Sequence, residues 1–314
     1  YDRLEQGEEQ IAVLLRQDAL LHKGRGEFAD DAARAAFRAE RLSEAATVAE
    51  TRLNDLRRAA DLLAQALKVT PGALSLLERL ARVQEASGEP REAERTLILA
   101  AQAATQNAVA RSGFHLQRGR LWEGPLADPQ AAEEAYGEAI AADPQASPPR
   151  QALIALLEQH GRWEPLQKAL AEAAEHAAAA LQPEYHSRRG EVLAGHLERL
   201  DEALKSFDAA EKLKPRWART RQARVDALRV ARRPEELADA LAARREARPS
   251  ELDTTQTLAL FREEAELRAF TLDDKAAGRG LLLEALKLRS KDLGSLRLLL
   301  RIERQLGLGE PLID

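Results

Sequence analysis

The sequence predicts an all-α fold, a tandem array of antiparallel helix hairpins, on three observations. Its composition is 45% apolar, 32% charged and only 4% aromatic, with 17 Gly and 13 Pro in 314 residues. Abundant Ala, Leu, Glu and Arg favour helix over strand. Gly at helix ends and Pro at helix starts mark the turns, as in Ser87-Gly88-Glu89-Pro90 and His160-Gly161-Arg162-Trp163-Glu164-Pro165. Arg233-Pro234-Glu235-Glu236 and Gly309-Glu310-Pro311-Leu312 repeat the start signal. Finally, one residue pattern returns along the chain at a fixed step.

The pattern is clearest in Ala203, Phe207, Ala210 and Pro215, at offsets 0, 4, 7 and 12. It returns as Ala59, Leu63, Ala66, Pro71; as Ala132, Tyr136, Ala139, Pro144; and as Gly278, Leu282, Ala285, Ser290. A second series lies between: Ala93, Leu97, Ala100, Thr105; Leu166, Leu170, Ala173, Ala178; Leu237, Leu241, Arg244, Pro249. From 59 to 93, 132 to 166, 203 to 237 and 278 to 312 the step is always 34, and the complementary steps are 39, 37 and 41. Pairs of hairpins therefore recur every 71 to 75 residues. Small residues at the first and third offsets let two helices approach closely. The larger second residue is expected to fill the gap to the next repeat. Pro then stops the helix, having no N–H to donate.

These offsets and the 34-residue step resemble tetratricopeptide repeats over residues 28 to 312. The second helices of the odd repeats carry the match, while the first-helix Trp-Leu-Gly-Tyr positions are mostly absent. The alternation resembles the degenerate arrays of large bacterial proteins. The resemblance implies a right-handed superhelical solenoid of about seven to eight repeats. Its expected layout is a partial leading repeat over 1–27, repeats over 28–71, 74–107, 108–145, 147–180, 183–215, 217–249 and 252–291, and a partial trailing repeat over 292–314. Gly7 to Lys23 reads as a second helix preceded by a stub of its mate, and Phe28 to Asn54 as an extended helix or an insertion. Leu293 to Gln305 reads as a first helix that stays apolar at Leu296, Leu298, Leu299, Leu300 and Ile302, so the solenoid is expected to continue past both ends. The absence of Met fits either an internal piece of a longer chain or methionine positions missing from the sequence, in which case spacings shift by about one residue.

Searches for chemistry return little. Without Cys there are no disulfides, thiolate metal sites or cysteine nucleophiles. No phosphate-cradling Gly-Lys-Ser/Thr loop, Gly-x-Ser-x-Gly elbow or His-Glu-x-x-His occurs. Gly24-Arg25-Gly26 reads as a turn between helices. His115 and His186 recur in Phe114-His115-x-x-Arg118-Gly119 and Tyr185-His186-x-x-Arg189-Gly190, 71 residues apart, which argues for packing rather than metal ligation. The 52 carboxylates fall beside Arg, as at Glu78-Arg82, Glu94-Arg95 and Glu263-Arg268, and read as solvated helix surface. Trp122, Trp163 and Trp217 fall at helix ends or turns and read as packing between hairpins. Neither an enzyme activity nor a cofactor or metal is expected. No membrane span is expected either, since no stretch approaches about 20 uncharged apolar residues. With no basic-then-apolar leader, the cytoplasm is the expected compartment and the periplasm stays open.

One charge feature stands out. Between Arg216 and Arg248 ten Arg face five acidic residues, inside a chain of net charge −5. Arg216, Arg219, Arg221 and Arg224 are the candidate docking residues for an acidic partner, although charge runs are more often solvated faces. With Asn only at 54 and 107, the family's Lys-Asn-Arg clamp for a C-terminal carboxylate cannot be assembled. The expected function is therefore a non-enzymatic scaffold binding a partner peptide or helix along a concave surface. One alternative is a regulatory or sensor region of a larger multidomain enzyme. Another is RNA binding through 216–248, although nucleic acid and small molecules are not the expected partners. Exposed end helices could also pair with a second copy.

Overall fold

A computed structural model describes residues 2–22, 28, 30–246 and 253–307. Gly24-Arg25-Gly26, Pro249 and Gly309 to Leu312 lie outside the described residues. The chain divides into two compact units, residues 1–159 and 160–314. The first holds α1 (Asp2–His22), α2 (Asp31–Val48), α3 (Leu56–Val69), α4 (Leu74–Ala86), α5 (Pro90–Ala103), α6 (Ala108–Glu123), α7 (Pro129–Ala142) and α8 (Ser147–Gln159). The second holds α9 (Trp163–His176), α10 (Gln182–Gly195), α11 (Leu200–Leu213), α12 (Ala218–Val230), α13 (Pro234–Arg245), α14 (Thr254–Glu266), α15 (Lys275–Leu288) and α16 (Leu293–Gln305). The described residues contain no strand, and none of their helices is long and apolar enough to cross a membrane. Within each unit, consecutive helices pack against one another.

The extended helix expected over 28–54 is found: α2 runs on into a π-helical turn, Ala49–Leu53, and α14 does the same at Leu267–Thr271. The stub expected before Gly7 is not separate. It belongs to α1, whose Gly7 lies so close to Leu53 that an added Cβ would sit 2.8 Å from its Cδ2.

Capping sets the helix starts. Asp30, Asp55, Asn107, Asp128, Asp274 and Asp292 each accept a backbone N–H of the first turn, and Asp253 forms a full capping box with Gln256. Pro90, Pro129 and Pro234 stand at helix starts, where a missing N–H costs nothing. The pattern residues form the core. Ala59, Leu63, Ala66, Ala132, Tyr136, Ala139, Ala203, Phe207 and Ala210 are all 0% exposed.

The constant step has a simple cause. The first helices of the even repeats, α4, α8, α12 and α16, are each 13 residues long. Those of the odd repeats vary, from 14 residues in α10 and 16 in α6 to 18 in α14 and 23 in α2 once their five-residue π turns are included. Turn geometry differs as well. In two even hairpins the N-cap amide reaches back five residues, Glu89 N–H to Gln84 O at 2.8 Å and Arg233 N–H to Leu228 O at 3.2 Å. In odd hairpins it reaches back six: Asp55 to Ala49, Asp128 to Trp122, Arg199 to Leu193 and Asp274 to Arg268, at 2.7–2.9 Å.

Among the described residues, each turn within a hairpin places a left-handed residue five positions before its anchor. In the even turns these are Gly88, Gly161, Gly307 and Arg232; in the odd turns Asn54, Ala127, Glu198 and Asp273. Glycine adopts this conformation without strain, whereas a Cβ costs roughly 1–2 kcal/mol there. Ala127, at φ 51, has no side-chain hydrogen bond to compensate and is exposed. Ala127→Gly is therefore expected to stabilise the protein by about 1 kcal/mol, seen as a raised urea midpoint. A lowered midpoint would refute the strain assignment.

The aromatic pattern residues pack otherwise than the sequence suggests. Besides meeting the next first helix, the Tyr136 ring is seated on Gly119 of its own hairpin, and Phe207 likewise on Gly190. A Cβ would lie 2.3 Å from the Tyr136 ring at 119 and 2.4 Å from the Phe207 ring at 190. In the other two odd repeats the same positions hold Ala46 with Leu63 and Ala265 with Leu282, all 0% exposed. The seat is thus Gly under an aromatic ring and Ala under Leu. Gly119 and Gly190 also supply the first-helix glycine that motif matching finds mostly missing.

Unit 2 also buries a charge. The Glu264 carboxylate, 2% exposed, accepts from Arg245 Nη2 at 2.6 Å and from Arg268 Nε at 3.0 Å. Arg245 in turn lies over the Phe261 ring, 4.2 Å from its centroid.

Candidate interaction surfaces

The four candidate arginines do not form one patch. Arg219 points towards α10, bonding Glu184 and, at 3.4 Å, Glu191. Arg221 and Arg224 point the other way, towards α11 and α13. Arg221 bonds Glu211 at 2.6 Å and the Ala243 carbonyl, and Arg224 bonds Asp208. Arg216 is left-handed at φ 61, with its backbone N–H donated to Glu211 and its side chain exposed. Farther along, Arg229 pairs with Glu263 and Asp226, Arg233 with Glu236, and Arg245 with Glu264. Arg248 lies outside the described residues. Much of the excess charge counted along the chain is thus met by carboxylates from neighbouring helices.

The surface pairs read from sequence also rearrange. Glu78 does not pair with Arg82, which instead approaches Glu50 at 3.9 Å. Glu94 bonds Arg118 at 2.9 Å rather than Arg95, and Glu263 bonds Arg229 rather than Arg268.

His115, His186 and the three tryptophans are half-buried. His115 Nδ1 lies 3.0 Å from Glu138, and burial lowers its pKa from the ordinary value. Burial lowers that of His186 in the same way. No three potential metal ligands gather among the described residues. Trp163 stacks on His196 with ring centroids 3.6 Å apart, and Lys214 Nζ lies 4.0 Å above the Trp217 ring.

Among the described residues, an open groove lies between successive first helices in each unit. In unit 2 the groove between α10 and α12 has a volume of about 420 Å³. Its apolar lining is Ala194, Gly195, Ala223 and Ala227, with Val230, 80% exposed, at its open edge. Its rim carries Glu191, Arg219, Gln222 and Asp226. The rim charges are satisfied within the walls: Arg219 holds Glu184 and Glu191, while Asp226 takes Arg229 and Gln222. In unit 1 the groove between α4 and α6 measures about 540 Å³, with Ala81 and Leu97 beneath and Glu78, Arg82, Glu85 and Arg120 around it. Of the four candidate arginines only Arg219 lines a groove between first helices. Sequence reasoning missed the rest of these lining residues. The signal was available as small residues and single charges on first helices, but without a helix-to-helix register it could not be assembled.

Comparison with known proteins places the fold. The structure of Naa15/Naa10 bound to HypK-THB matches 95% of this chain and 44% of that one, at 15% identity and a TM-score of 0.52. This chain thus spans under half the length of that neighbour. The C-terminal part of a repeat-containing protein from Cytophaga hutchinsonii matches over 83% of this chain and 98% of its own, at 13% identity and TM-score 0.45. A tetratricopeptide-repeat protein from Parabacteroides merdae matches over 85% and 98%, at 15% identity and TM-score 0.38. No family model matches the chain, and no curated protein is similar to it. At these identities the likeness is one of fold alone: an all-α array of helical repeats.

Proposed function

We propose that this helical-repeat array is a tetratricopeptide-type solenoid and a non-enzymatic interaction scaffold, holding a partner peptide or helix along the surface formed by its first helices. The observation that carries the reading is the α10–α12 groove, whose apolar lining stands open between paired, mutually neutralised charges. Apolar side chains left uncovered between polar rims are the physical mark of a docking surface. Adjacent helices supply the walls, so a bound segment would gain modest contacts from each hairpin without the binder reorganising.

The test is selection of displayed random peptides of about twelve residues against the full chain. Peptides are expected to enrich, and a set of them to lose about tenfold in affinity on Val230→Asp, which puts a charge on the apolar lining. Val230 is so exposed that the fold should survive the change, and an unaltered melting curve would confirm it. A chain that enriches no peptide, or only peptides indifferent to every groove substitution, is not a scaffold of this kind.

A further inference from the structure

We infer that the α4–α6 groove receives a peptide segment carrying both an acidic and a basic side chain, an inference that rests on the scaffold reading. The basis is the set of charges left open there. Glu78, Glu85 and Arg120 are exposed, and among the described residues none has an ion-pair partner. Arg82 is 69% exposed and reaches only Glu50, at 3.9 Å. Arg79 alone is committed, to Glu50 at 2.9 Å and to Ser43. Glu78, Arg82 and Glu85 follow at steps of four and three, so they share one face of α4, while Gln117 and Arg120 supply the α6 side.

A groove that keeps charges of both signs unpaired has its counter-charges missing. An occupant of one sign would satisfy some of these groups and confront the others with like charge, which costs affinity. An uncharged occupant would desolvate all four without return. A bipolar segment meets both sets. The α10–α12 groove is the internal control, since Arg219 and Arg229 already neutralise its acids and little salt dependence follows there.

The experiment uses the same displayed peptides with the full chain. Those that lose about tenfold on Arg120→Glu should contain an acidic and a basic residue, and should weaken about tenfold between about 50 mM and about 500 mM salt. Replacing the peptide's acidic residue by Lys should restore binding to R120E. Peptides lost on Val230→Asp should change little with salt. Arg120→Gln and Glu78→Gln serve as second variants, since both side chains are exposed and bond nothing, and their melting curves should match the parent. The inference is overturned if Arg120-dependent peptides lack either sign of charge, or bind independently of salt. It is equally overturned if enriched peptides respond to Val230→Asp but ignore Arg120→Glu and Glu78→Lys, an outcome that leaves the scaffold reading standing. A failure to enrich any peptide removes both.

Discussion

Gly119→Ala and Gly190→Ala are each expected to destabilise the protein by about 3 kcal/mol, measured by urea denaturation. A methyl at 119 would lie 2.3 and 2.4 Å from two carbons of the Tyr136 ring, and one at 190 would lie 2.4 and 2.7 Å from Phe207. Both rings are fully buried, so neither can swing away. The sign is informative, because Gly→Ala in an open helix interior ordinarily stabilises by about 1 kcal/mol. The partner change should reverse much of the loss. Tyr136→Leu alone leaves a cavity and frees Glu123, which now accepts from the Tyr136 hydroxyl at 2.5 Å, for a cost of about 2–3 kcal/mol. Combined with Gly119→Ala it recreates the Ala46–Leu63 arrangement, and the pair should show a favourable coupling of about 1–3 kcal/mol. Simple additivity of the two losses would show that seat and ring are not matched.

The second large effect belongs to Glu264. Glu264→Gln removes the negative charge held by Arg245 and Arg268, whose side chains are only 19% and 26% exposed. The partly buried Arg245 guanidinium then loses its counter-charge, while Arg268 keeps only the exposed Asp239 at 3.6 Å, and breaking such a buried pair typically costs about 3–5 kcal/mol. The expected loss is about 3 kcal/mol, because Gln retains one acceptor oxygen. Replacing all three residues together by Leu and Met should recover most of this, since an apolar cluster of like volume needs no charge compensation. If E264Q melts like the parent, the three-residue cluster is not a stabilising unit.

The fold was largely readable from the chain because its signal is periodic. Ala203, Phe207 and Ala210 recur at fixed offsets since each fills the same place in a hairpin. The step of 34 holds because every even first helix has 13 residues. The seat was half visible: Gly119 and Gly190 stand out by their recurrence, but nothing along the chain ties them to rings 17 residues farther on. Charge was the least readable property. Arg219 pairs with Glu184, 35 residues back, and Arg229 with Glu263, 34 residues on. Counting charges within a window misses carboxylates delivered by the next repeat. For the same reason Glu78 and Arg82, properly spaced for a pair, part company once Glu50 is near. The grooves depend on how two first helices line up, and the variable odd repeats hide that register.

The matched seats also govern how such a chain can change over generations. Seat and filler lie on opposite sides of the left-handed turn, with Gly119 before Ala127 and Tyr136 after it. A genetic crossover within that turn would join a glycine seat to a leucine, leaving a hole, or an alanine seat to an aromatic ring, forcing a clash. A crossover in the loop between hairpins keeps each matched couple together. Whole hairpins are thus the heritable cassettes of this array, and half-hairpins are not.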